Sequence, residues 1–295
     1  MLQQRLVAIS TRYACLSRRW LSLNADAFAR VRLRDKTTVS LCHKYADVVD
    51  ISTNFAISLD GSLLESPLGN LLQTPSRAVA ERVVSEWRKH IGQLTRFATL
   101  PATLLLSETV DLNPAQREIL VKSLVEALDF DTALRFDVQP TVTLPPIEDV
   151  SMLDSESWAL IAKLDLDVLQ SSYLAPILRT FAARRGTSEL VNTGSVESRL
   201  QQPKDVVENI HNTLYNASDA KLISIDRVHK CLKSVILPLE LFDGAIDAKR
   251  AVRASRLEEV LQAASWGISP EFQDKETAIL QQIEEALEYC RAQAD

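Results

Sequence analysis

The stretch Phe55-Ala56-Ile57-Ser58-Leu59 alternates apolar with small or polar residues and runs directly into Asp60-Gly61. Alternation with a period of two sends successive side chains to opposite faces of a strand. An Asp-Gly pair supplies the two positive-φ positions of a type I′ turn. This part of the chain therefore has to form a β-hairpin, with Ser62 to Ser66 as the returning strand. Pro67 closes it, because proline has no N–H to give to a ladder. Lys44 to Ile51 suits a neighbouring strand. Sheet is not expected to continue along the chain, since seven glycines in 295 residues are too few for a turn-rich β protein.

Helical signals follow. Thr74 is placed to cap a helix and Pro75 to fill its first turn, where a missing N–H costs nothing. Val79, Val83, Trp87 and Ile91 recur every four residues, Trp87 is expected in the core, and Gly92 is the expected stop. Leu100 to Glu108 is apolar enough to be buried. Asn113-Pro114 repeats the cap-and-proline start for a helix to about Asp129, with Leu120, Leu124 and Leu128 inward. Pro140, Pro145 and Pro146 exclude a helix between Asp137 and Ser151, and this extended connection is the expected domain boundary. Beyond it the pattern predicts helices over Ser155 to Leu169, Tyr173 to Arg184 before Gly186, Lys204 to Tyr215, Ser224 to Asp243, Asp247 to Ser265, and Pro270 to Ala292. The expected class is α+β. An N-terminal domain over residues 40–136 carries antiparallel hairpins and helices, and an all-α domain covers residues 150–295.

A formal charge of −6 weighs against a nucleic-acid partner, which needs a net basic surface. Cys15, Cys42, Cys231 and Cys290 are scattered without a Cys-x-x-Cys, and His43, His90, His211 and His229 stand apart from them. Neither a zinc site nor a disulfide framework is indicated. The sequence has no Gly-x-Ser-x-Gly and no phosphate-cradling glycine motif, and no cofactor is expected. Residues 1–25 contain Arg5, Arg12, Arg18 and Arg19 and several Ser and Thr, and reach no acid before Asp26. That is the composition of a mitochondrial transit peptide, the alternative being a basic amphipathic helix that lies on a membrane. Its apolar runs are too short for stable membrane insertion.

Two constellations have polar chemistry. Asp129-Phe130-Asp131 with Arg135 can be the polar site of an enzyme or small-molecule binder, or can end a helix with Arg135 as counter-ion; the rest of an EF-hand is missing. Arg184-Arg185-Gly186 can hold an anion, or can be a basic last turn before a glycine stop. A third segment has carboxylates with no catalytic partner. From Ser255 to Trp266, Leu257, Val260, Leu261 and Ala264 form an apolar stripe at helical spacing, and Ser255, Glu258, Glu259 and Gln262 a polar one. Gly267 is the expected stop. This reads as a binding face.

Taken in order, these pieces resemble the mitochondrial F-type ATP synthase assembly factors that chaperone the α subunit, the Atp-twelve family. The resemblance runs through Leu59-Asp60-Gly61, Ser66-Pro67, Thr74-Pro75-Ser76, Ser85-Glu86-Trp87, Asp129 to Phe136, Phe181 to Gly186, Thr193-Gly194, Gln202-Pro203, Val235 to Phe242, and Arg256 to Trp266-Gly267. Ser66 stands where the family has Thr, Ile268 to Gln273 replace an acidic-aromatic run, and Asp274 keeps its place. The resemblance implies a monomeric, non-enzymatic, ATP-independent chaperone of the mitochondrial matrix, which holds unassembled α subunit until β subunit displaces it. It also implies partner-binding roles for Arg256, Glu258, Glu259, Gln262 and Asp274, with Trp87, Trp266 and the hairpin left to architecture. The competing expectation is a matrix enzyme or small-molecule-binding protein built on Asp129, Asp131 and Arg135.

Overall fold

The computed structural model describes residues 30–33, 40–195 and 199–294. The expected transit segment, with Cys15, lies outside them. The chain is of α+β class and folds as two compact units, the first running to Asp111 and including the last residues from Arg291, the second, helical among its described residues, running from Leu112 to Cys290.

In the first unit, β3 (Ala46–Ile51), β4 (Asn54–Leu59) and β5 (Ser62–Glu65) pair antiparallel in sequence. The turn between β4 and β5 has φ of 49° at Asp60 and 80° at Gly61, the two positive values the Asp-Gly pair predicts. The Asp60 carboxylate also accepts the N–H groups of Lys44 and Tyr45, each at 2.8 Å, tying the turn to the approach to β3. Two strands complete this sheet: β1 (Arg30–Arg32) runs parallel to β5, and β6 (Gln73–Thr74) pairs with β4. A separate short ladder joins β2 (Ser40–Leu41) to β7 (Thr95–Arg96). Ala56, Ile57, Leu63 and Leu64 of the hairpin are fully buried.

The helix α1 (Arg77–Arg88) begins later and ends earlier than its sequence suggests. Pro75 biases the residue before it toward extended backbone, so Thr74 finishes β6 and the cap falls to Ser76, whose side chain accepts the Val79 N–H. Thr74 Oγ1 accepts the Ser76 N–H at 3.1 Å and donates to Gln293 Oε1, while Ser76 Oγ donates to the Ala292 carbonyl. Ile91, placed inward by the four-residue recurrence, lies beyond the helix and is 46% exposed. Trp87 is in the core as expected, fully buried, with the His43 ring edge-on at 5.3 Å and His43 Nε2 2.9 Å from the Trp87 carbonyl oxygen. Glu86 accepts the N–H groups of Ala102 and Thr103 and the Thr103 hydroxyl, closing the start of α2 (Pro101–Asp111), the buried apolar segment.

The second unit opens with α3 (Pro114–Glu126) behind a complete capping box. Asn113 Oδ1 accepts the Gln116 N–H at 2.9 Å, and Gln116 Oε1 accepts the Asn113 N–H at 3.2 Å. Asn113→Ala removes one half of this reciprocal pair and is expected to cost about 1 kcal/mol in urea unfolding; an unchanged midpoint would show that the box adds nothing. Leu124 and Leu128 are buried and Leu120 is partly so.

The proline segment from 137 to 151 is extended, yet the chain does not divide there. Phe136 just before it, and Ile147 and Val150 within it, are buried in the core of the second unit. Its backbone is held along the way, with Gln139 N–H donating to Ser171 Oγ and Val142 N–H to Ser172 Oγ. Prolines forbid a helix but do not forbid burial. The division falls between Asp111 and Leu112 instead.

Among the described residues eight α-helices follow: α4 (Ser155–Ile161), α5 (Leu166–Arg185), α6 (Lys204–Tyr215), α7 (Asp219–Leu232), α8 (Ile236–Phe242), α9 (Ala248–Ser255), α10 (Leu257–Trp266) and α11 (Pro270–Ala294). Those at Lys204 and Pro270 stand where the periodicity predicts. Three expected long helices are broken. The first breaks between Ile161 and Leu166, the second at Lys233 with φ of 54°, and the third at Arg256. Gly186 stops α5 in the left-handed conformation, as its position after two arginines predicts. No helix among the described residues is long and apolar enough to cross a membrane.

Candidate functional site

Asp131 and Arg135 bond to backbone, and Asp129 contributes its carbonyl to Arg135. Asp131 is 1% exposed; Oδ1 accepts the Ala133 N–H at 2.9 Å, and Oδ2 accepts the N–H groups of Val235 at 2.6 Å and Ile236 at 3.2 Å. Burial pushes its carboxyl above the ordinary aspartate value, against the opposing pull of hydrogen bonds from Ser234, Val235, Ala133 and Ile236. Both oxygens serve the start of α8 and the turn after α3, so neither faces a ligand. Arg135 donates to the backbone carbonyls of Asp129 and Ser195, so it is not the counter-ion of the aspartate carboxylates. Among the described residues no three His, Cys, Asp or Glu side chains gather where they could hold a metal ion.

Arg184 and Arg185 are equally committed. Arg184 Nη2 lies 3.0 Å from Asp243 and 3.3 Å from Glu240, and Arg185 Nη2 lies 2.5 Å from Asp243. Burial raises the Glu240 carboxyl above its usual value while the two guanidinium groups pull it down. The basic turn before Gly186 is thus neutralised from within.

The segment around α10 is different, because its polar face is open. Leu257, Val260 and Ala263 are buried, and Leu261 and Ala264 partly so, seating one side of the helix on α4 and α5. Beneath its N-terminus, Arg253 Nη2 reaches Glu276 Oε1 at 2.6 Å, and the guanidinium groups of Arg253 and Arg256 lie over the Phe272 ring at 5.9 and 4.9 Å. These contacts tie α9 and α10 to the first turns of α11. They also take Arg256 out of reach. Expected on the partner-binding face, it is only 3% exposed and packs as an internal strut.

Glu258 and Gln262 stand on the open side, joined by a 3.2 Å bond from Gln262 Nε2 to Glu258 Oε1. Glu259 is half-buried, and Asp274 is exposed on α11. Both glutamates lie in the first turn of α10, where negative charge also complements the helix dipole. Of the five expected partner-binding residues, Glu258, Gln262 and Asp274 are fully presented, Glu259 partly, and Arg256 not.

Trp266, assigned to architecture by the resemblance, is 82% exposed. Its sequence position contained the signal: it follows Gln262 by four residues and Glu258 by eight, which places it on the polar side of the helix. Gly267 ends α10 with φ of 91° and ψ of 158°, a positive-φ extended conformation in place of the expected left-handed one.

Residues 38–180 match the family described as ATP12 chaperone protein. In fold the chain is similar to Atp12 from Paracoccus denitrificans, with a TM-score of 0.65 at 18% identity over 86% of this chain and 98% of that one. A point mutant of Atp12p from the same organism gives a TM-score of 0.65 at 17% identity, over 88% of this chain and 100% of that one. The Atu1473 protein from Agrobacterium tumefaciens gives 0.66 at 20% identity, over 85% and 84%. At these identities the three structures establish a shared fold, extending past residue 180 to the helices that the family match leaves out.

Proposed function

On the match of residues 38–180 to the ATP12 chaperone family, we propose that the protein is an assembly chaperone of the F-type ATP synthase. It binds the unassembled α subunit in the mitochondrial matrix, as a monomer and without ATP, and gives it up to β subunit with no chemistry of its own. The family match is the observation that carries this reading. The physical logic is mass action. An orphan subunit exposes apolar interface that would otherwise aggregate, and a reversible partner that covers it lowers the population available for misassembly.

In this reading Glu258, Glu259, Gln262 and Asp274 supply polar contacts that set register, while Arg256 positions α10 from below through Phe272. The double substitution Glu258→Lys with Glu259→Lys is expected to weaken capture of α subunit about tenfold or more, through like-charge placement at a docking rim. Circular dichroism and melting should stay near wild type, because Glu258 is exposed and Glu259 only half-buried. Undiminished capture by a folded double variant would remove these residues from the interface.

A further inference from the structure

Trp266 is the most exposed large apolar residue among the described residues, at 82%. Scattered exposed leucines or valines are ordinary on any protein surface, but an open tryptophan leaves a large ring hydrated and is the residue type most enriched among interface anchors. Its mount is rigid. Leu257 and Val260 fix α10 by burial, and Arg253 and Arg256 grip Phe272 at the base. Spacing of four places Glu258, Gln262 and Trp266 in one row along the helix, the first two bonded to each other. Along the chain from Ser255 to Lys275 the exposed charge is mostly negative: Glu258, Glu259, Glu271 and Asp274 are exposed or half-exposed, Arg256 is buried, and Lys275 is the one exposed basic residue of this stretch.

We propose that Trp266 is the anchor of a docking face, received by an apolar socket rimmed with lysine or arginine on the unassembled ATP synthase subunit. This rests on the assembly-chaperone reading and adds to it the central residue and the chemistry of the surface it meets. The acidic row speeds encounter and aligns the partner, and burial of the indole holds the complex.

The test titrates the full chain against isolated ATP synthase α subunit, as wild type, Trp266→Ala and Trp266→Phe, at low and at raised salt. Trp266→Ala is expected to weaken binding about thirtyfold or more, the scale of an interface hot spot, with Trp266→Phe between it and wild type. Both variants should melt with wild type, since the ring contributes little to the core. Association should slow as salt rises. Wild-type tryptophan emission should move to the blue on binding, and the shift should vanish in Trp266→Phe. Trp266→Ala binding within about threefold of wild type, below the level of any hot spot, overturns the anchor. An association rate indifferent to salt overturns the basic rim. Wild type that fails to bind α subunit overturns the assembly-chaperone reading itself, an outcome separate from either.

Discussion

Replacing Asp131 by alanine should lower the unfolding free energy by at least about 3 kcal/mol, read from the urea midpoint at constant slope. The carboxylate takes three backbone N–H groups, those of Ala133, Val235 and Ile236, in a place that water does not reach. Removing it strands all three, at about 1–3 kcal/mol for each unsatisfied group before relaxation. Asp131→Asn keeps one oxygen and should cost less, because an amide still accepts from one side. A loss below about 1 kcal/mol for the alanine variant would mean that the donors find other acceptors, and that the aspartate is free for another task.

Trp87→Ala should cost about 3–5 kcal/mol, the range of a large aromatic deleted from a packed interior. Trp87 is fully buried on α1 and leaves a void against the edge of His43. Its Nε1 makes no hydrogen bond, so Trp87→Phe gives up packing only and should fall well below the alanine value. Amide exchange in α1 and α2 is the second readout, because Glu86, one residue before Trp87, accepts from the first turn of α2. Alanine tolerated with less than about 1 kcal/mol would show that this core collapses around the gap.

Much of the local architecture was legible because its causes are local. The Asp60-Gly61 turn, the Asn113 and Gln116 box and the Gly186 stop each involve residues within a few positions of one another. Backbone sterics and one hydrogen bond decide such features whatever lies elsewhere. The helix over Lys204–Tyr215 also matches its periodicity, with Val206, Ile210 and Leu214 on one buried face.

The broken helices have non-local causes. Periodicity could not separate α7 from α8, because the break at Lys233 is sustained by Asp131, which caps the new helix from 104 residues away. Nor could it divide α9 from α10, where Arg253 and Arg256 turn inward onto Phe272. The same turn reverses two expectations at the candidate face: an arginine goes inside, where an aromatic ring and a glutamate receive the cluster, and a tryptophan stays outside.

Chain order alone therefore settled the Asp60-Gly61 turn, the Asn113 cap and the Gly186 stop, since those choices are made over four residues or fewer. The burial of Arg256 was settled by folding. Which side of α10 faces water depends on what α4, α5 and α11 offer to cover it, and those surfaces meet only once the second unit has closed.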